Sequence, residues 1–233
     1  MRSISIFAIF VAAVISAVSA NAFIGDQVAE IINEISYTDD QVADLIAKSE
    51  SGNANAQREL SSLYYAGHHL DKDDAKARYW LKLAAENGDV GAQYVMYENY
   101  KKGMLFPQDP ERAIFWCDKA AKQGFEVAEY SLGTAYLTGY GVEIDIEKAA
   151  ALFERSADKD YAHAQLMIGM AYLNGEGVSQ DMAQAFKWLS IYHFISKPDE
   201  EGEKMFLALT KECMSEEQIT KGKELASEWR MAR

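Results

Sequence analysis

Apolar residues along this chain follow a helical spacing that restarts at a fixed interval. Counting from Ala128, the positions Ala128, Leu132, Ala135, Tyr136 and Gly139 fall within about one third of a helical wheel, the stripe of an amphipathic helix. The same stripe restarts at Ala164, 36 residues on, and earlier in the chain at Ala92 and Ala56. A fixed period between about 20 and 50 residues is the signature of a solenoid of repeated units. With each of these alanines as offset zero, offset +8 is Tyr64, Tyr100, Tyr136 and Tyr172, and offset +11 is Gly67, Gly103, Gly139 and Gly175. Offset +17 is Asp73, Asp109, Asp145 and Asp181, offset +21 is Ala77, Ala113, Ala149 and Ala185, and offset +24 is Trp80, Trp116, Leu152 and Trp188.

Each column has a physical reason. The +11 glycine ends the first helix of the unit, helix A, by taking the left-handed conformation of a helix C-terminus. In the last two units a second glycine at +13, Gly141 or Gly177, loosens the turn that follows. Because +13 is His69 and Leu105 in the first two units, that position is expected to accept a Cβ more readily than +11. The +17 aspartate sits where the N-cap of a second helix, helix B, belongs, and Asp109-Pro110 puts proline at the favoured first helical position. Alanine at +21 allows the two helices to approach, and the bulky residue at +24 fills the space between them. Such a pair cannot bury its apolar face alone and stacks on its neighbours. The predicted fold is all-α, a right-handed α-solenoid of antiparallel helix pairs.

These columns resemble the Sel-1-like repeat, a relative of the tetratricopeptide repeat, over residues 56–193. The likeness is carried by Leu132-Gly133, Tyr136 and Gly139-Tyr140-Gly141-Val142 in one unit, by the +17 and +24 columns, and by Ala84-Ala85 with Gly88 and Ala120-Ala121 with Gly124. The resemblance implies a tetratricopeptide-like superhelix and a role in protein interaction, in envelope assembly, signalling or host contact. A cysteine-rich subgroup from Helicobacter pairs cysteines within every repeat and is linked to β-lactam binding or hydrolysis, which makes a β-lactam-directed enzyme one alternative. Those paired cysteines are missing here. A secreted effector is the other alternative.

The ends of the chain extend the picture. Residues 1–22 carry Arg2, the apolar run Ile4–Val18 and then small residues, the layout of a secretory signal peptide cleaved after Ala20 or Ala22. The run is about 15 residues, short of the roughly 20 that span a bilayer. Residues 23–55 are expected to hold an N-terminal capping helix at Phe23–Ile35 and the helix B of a half repeat. Repeats then occupy residues 56–91, 92–127, 128–163 and 164–197, with capping helices in 198–233, where Pro198 breaks the chain and Ser215-Glu216-Glu217-Gln218 reads as a capping box. Without residues 1–22 the chain keeps 22 basic against 36 acidic residues, and a surface so negative repels nucleic acid and anionic lipid. The chain contains no Asn-x-Ser/Thr sequon, in keeping with a bacterial periplasm as the destination, with secretion beyond it as the other possibility.

Candidate chemistry is sparse. Cys117 and Cys213 are separated by two repeats, so two separate thiols are expected unless the tail folds back. His68 and His69 share one turn, while His163 and His193 lie repeats away, so no metal site is expected. Neither a nucleophile triad, a phosphate loop nor a dinucleotide fingerprint occurs in the sequence, and no catalytic residue or cofactor is assigned. A partner-binding surface remains. In helix A the offsets −1, +2, +6 and +9 lie opposite the packed stripe, where related repeats line a concave groove. The residues expected to bind a protein or peptide there are Arg58, Tyr65, Tyr94, Lys101, Tyr130, Thr134, Leu166 and Met170. The competing arrangement has the C-terminal helices folding back over Leu166 and Met170.

Overall fold

The computed structural model describes residues 37–67, 69–196 and 200–232. The signal peptide expected over residues 1–22, the helix expected at Phe23–Ile35, His68 and the break expected at Pro198 lie outside the described residues. Everything regular within them is helical, and the chain divides after Asp89 into two compact units.

The first unit holds α1 (Asp39–Glu50), α2 (Ala54–Ala66) and α3 (Asp74–Glu86). Thr38 and Gln41 form a capping box at the start of α1, the helix B of the half repeat. Helices α2 and α3 are the first complete pair, with Leu45, Ala56, Leu60 and Leu63 as the buried centre and Trp80 packed against it.

The second unit contains α4 (Val90–Lys102) with α5 (Pro110–Lys122), α6 (Glu126–Thr138) with α7 (Ile146–Ala157), and α8 (Ala162–Asn174) with α9 (Met182–Ser196). Helices α10 (Glu200–Cys213) and α11 (Glu216–Met231) follow. Helix α11 starts at the expected Ser215–Gln218 capping box and lies along α9. Its Gly222 leaves no room for a Cβ, which would stand 2.7 Å from that of Phe186. Trp229 meets Trp188 edge-on at 5.7 Å, and its indole N–H donates to Asp158 Oδ1 at 3.2 Å.

The sequence columns do what their chemistry predicts. All four +11 glycines are left-handed, with φ between 68° and 77°. Each +17 aspartate accepts backbone N–H groups from the first turn of its helix B, and its own N–H donates at 3.0 Å to the carbonyl of the +8 tyrosine. This second bond ties the end of helix A to the start of helix B. The +21 alanines are at most 1% exposed, and Trp188 at +24 is fully buried. The +8 tyrosines grade more than one stripe suggests, since Tyr100 is buried while Tyr64, Tyr136 and Tyr172 are half-buried.

One expectation is overturned. Gly141 and Gly177 at +13 are also left-handed, and a Cβ on them would meet backbone of the preceding repeat, 2.5 Å from Pro110 O and 2.3 Å from Ile146 O. In the first repeat His69 takes this conformation with a side chain, at φ 61°. The +13 glycines therefore set the spacing between repeats, which the residue types at +13 in the first two units cannot show.

A buried polar column also runs through the pairs at offset +1. Gln57 and Gln93 each accept a side-chain amide bond, from Asn87 at 2.9 Å and from Gln123 at 2.8 Å. Repeat three replaces this pair with charge. Glu129 is fully buried, one oxygen taking Arg155 Nη2 at 2.6 Å and the other Lys159 Nζ at 2.7 Å. Both oxygens of a buried carboxylate are thereby satisfied, the condition under which such burial is tolerated.

Candidate functional site

Helix A of each repeat presents the residues expected to bind a partner, but three of them are engaged elsewhere. Arg58 Nε lies 2.8 Å from Asp89 Oδ1. Tyr94 meets Phe125 edge-on at 5.3 Å, and Tyr130 packs on Tyr161 at 5.1 Å. Asp89, Phe125 and Tyr161 are all offset +33, just before the next helix A, so offset +2 packs on the segment that closes its own repeat. Phe125 and Tyr161 occupy N-cap positions without a side-chain cap bond, giving up the usual function of that position for ring packing. This corrects the expectation that Tyr94 and Tyr130 stand on a face the fold does not need. A single helical wheel misses it because the covering ring comes from beyond helix B, at the far end of the repeat.

The two tyrosines belong to one half-buried aromatic surface. The Tyr94 hydroxyl is 3.3 Å from Ser131 Oγ, and its ring lies 5.4 Å from that of Tyr97. Tyr130 also touches Phe153 at 5.7 Å and His163 at 6.0 Å. Burial pushes the Tyr94 hydroxyl well above the usual phenol range, with the charge of Glu98 adding to it, and pushes Tyr161 up to about 12. Burial lowers the pKa of His163, so the neutral imidazole is favoured.

The remaining expected residues divide. Tyr65 is exposed, with the Lys72 ammonium 5.6 Å from its ring centroid. Lys101 is half-buried and donates to the Tyr97 hydroxyl at 3.0 Å. Thr134 is half-buried, and its Oγ1 donates to Tyr130 O in its own helix at 3.0 Å. Leu166 is half-buried. Met170 packs into the cluster of Leu173, Ala185, Phe186 and Met214 that closes the C-terminal end, so for this residue the folded-back tail describes the structure better than an open groove. A second set went unnoticed in the sequence. Offset +23 carries Tyr79 and Phe115, both more than half exposed on helix B and edge-on to the tryptophan that follows each.

Cys117 is buried, its thiol donating to Ala128 O at 3.3 Å, and burial pushes its pKa far up, the condition of an inert thiol. Cys213 is exposed, and both cysteines are free. His69 Nε2 accepts the Tyr37 backbone N–H at 3.3 Å. Among the described residues no group of three or more His, Cys, Asp or Glu side chains could hold a metal ion, and no helix is long and apolar enough to cross a membrane.

This geometry is that of a known class of helical repeat. The Sel1 repeat matches at residues 54–89, 92–125, 127–161 and 162–191, and the chain belongs to the Sel1 repeat family. The fold is the helical solenoid of that family. It is similar to a protective antigen of uropathogenic Escherichia coli that displays an SLR fold, at 30% identity and a TM-score of 0.66 over 80% of this chain and 39% of the antigen. It is likewise similar to a Sel1 repeat protein from Oxalobacter formigenes, at 32% identity and a TM-score of 0.66 over 73% of this chain and 49% of that protein. The chain thus spans less than half the length of either. Among curated proteins none matches it.

Proposed function

We propose that the protein is a non-enzymatic adaptor that works after export, in the periplasm or beyond the cell, and takes a peptide or protein segment along the helix A face of its repeats. Sel1 repeats generally serve as protein-interaction scaffolds, and this chain devotes four consecutive units to them. The observation that carries the reading is the half-buried aromatic surface from Tyr94 to His163, continued by Lys101, Thr134 and Leu166. Rings already held by their neighbours lose little freedom when a partner covers them, which favours binding. Export rests on the signal-peptide pattern of residues 1–22.

The β-lactam-directed alternative has no comparable support, since it rests on cysteine pairs that this chain lacks. Purified protein is expected neither to hydrolyse nor to be acylated by a labelled penicillin. The adaptor reading is tested by changing residues that line the surface without bracing it. Thr134→Arg combined with Leu137→Glu should keep wild-type helicity while abolishing crosslinking to the partner that wild type captures from envelope extract. A folded double variant that still captures the same partner refutes the assignment of this face.

A further inference from the structure

Three of the four repeats hold a cation in the same place. At offset +20 Lys76, Arg112 and Lys148 sit between the +17 aspartate and the +8 tyrosine of their own repeat. Lys76 Nζ is 3.8 Å from Asp73 and 4.9 Å from the Tyr64 ring centroid. Arg112 Nε is 3.2 Å from Asp109, with its guanidinium carbon 5.8 Å from the Tyr100 centroid. Lys148 Nζ is 2.8 Å from Asp145 and 5.2 Å from the Tyr136 centroid. Each cation thus combines an ion pair with the attraction of an aromatic face.

The fourth repeat keeps the receptor and lacks the cation. Offset +20 is Gln184, while Asp181 and Tyr172 remain, joined by the same 3.0 Å bond from the Asp181 N–H to Tyr172 O. Among the described residues Asp181 has no ion-pair partner and no cation lies over Tyr172. Its carboxylate is exposed and accepts only the N–H groups of Ala183 and Gln184. The Tyr172 hydroxyl donates to Glu154 at 2.8 Å. Burial, this bond and the charges of Glu154, Asp181 and Asp158 all push that hydroxyl upward, the mark of a local negative field. Asp181 also borders a cavity of about 620 Å³ with Glu217 and Gln218 in its walls, and the lysine there, Lys221, pairs with Glu224 at 3.3 Å instead.

We propose that Asp181 and the Tyr172 ring are a receptor for one arginine or lysine side chain of a partner protein, which takes the place that the chain's own cation fills in the other repeats. The site lies at the turn between α8 and α9, apart from the helix A face, and stands or falls independently of the adaptor reading. An excess of 13 negative charges over the chain draws a basic segment towards it.

The test is a titration of the isotope-labelled chain with acetyl-Gly-Arg-Gly-amide, using acetyl-Gly-Gln-Gly-amide as the neutral control. The arginine peptide should shift Tyr172 and residues 181–184 saturably, an effect reduced by salt. Asp181→Asn keeps an effective N-cap and should weaken binding about fivefold, the scale of one exposed ion pair. Gln184→Arg supplies the internal cation, so it should abolish the shifts and raise the thermal midpoint. Equal shifts with the neutral peptide, no shift with the arginine peptide, or undiminished binding by Gln184→Arg would each overturn the proposal. Asp181→Asn decides the matter alone should the arginine variant fail to fold.

Discussion

Replacing Gly141 by alanine separates two costs that the sequence runs together. Gly139 and Gly141 are both left-handed, at φ 77° and 67°, so alanine at either meets a backbone penalty of about 1–2 kcal/mol. Beyond that they differ in what surrounds the new Cβ. At Gly139 it would stand 3.1 Å from Ile144 Cγ1, the side chain of an exposed residue that can turn away. At Gly141 it would stand 2.5 Å from the carbonyl oxygen of Pro110, 2.8 Å from its carbon and 3.0 Å from Ile114 Cγ1. Pro110 is the first residue of α5 and cannot move without disturbing the Asp109 cap, so repeats two and three must part. Overpacking of this kind adds about 1–3 kcal/mol, giving about 2–5 kcal/mol for Gly141→Ala against about 1–2 kcal/mol for Gly139→Ala. Urea denaturation of both variants reads the difference, and hydrogen exchange of α5 and α6 amides locates it, since repeat arrays can open in parts. Equal midpoints for the two would refute the claim that +13 fixes the repeat spacing.

Other consequences follow from the same contacts. Tyr94→Ser with Tyr130→Ser should lower stability by about 2–4 kcal/mol in chemical denaturation, because each ring packs on the aromatic residue that closes its repeat; a midpoint matching wild type would return both to the open surface. Lys159→Met leaves buried Glu129 with Arg155 alone and should cost about 1–3 kcal/mol, recovered in large part by adding Glu129→Gln, as a double-mutant cycle would show. His163, with its pKa lowered in the folded chain, contributes stability that is intact above the unfolded imidazole value of about 6.5 and declines as pH falls through it towards the folded value. Against wild type, His163→Gln should flatten the dependence of the unfolding midpoint between pH 7 and 5.

Much of the fold is legible because a repeat states its rules four times. Gly67 alone suggests a turn; four glycines at +11 fix the end of helix A, and four aspartates at +17 fix the start of helix B. Within one pair, contacts are local and the columns +0 to +24 anticipate them. The misassigned residues are those whose neighbours lie outside their own helix pair. Tyr94 lies opposite the packed stripe on its own helical wheel, and only the position of Phe125, 31 residues later, shows that it is covered. Gly141 looks dispensable beside Leu105 until Pro110 of the preceding repeat is seen against it.

Those contacts between segments do leave a trace, in pairs of columns that change together. Offsets +1 and +31 read Gln57 with Asn87, Gln93 with Gln123, and Glu129 with Lys159, each an amide pair or an ion pair in the structure. In repeat four they read Gln165 with Ile195, and there Gln165 Oε1 is buried with no hydrogen-bond partner among the described residues. A repeat whose helix B has lost the matching polar residue is one whose neighbour is no longer a repeat, and α11 is what packs along α9 beyond it. The same comparison finds Gln184 where three repeats carry a cation. These two departures from the columns thus fall together in the fourth repeat, where the array meets its C-terminal helices. There a side chain from outside the chain can complete what the first three repeats complete for themselves.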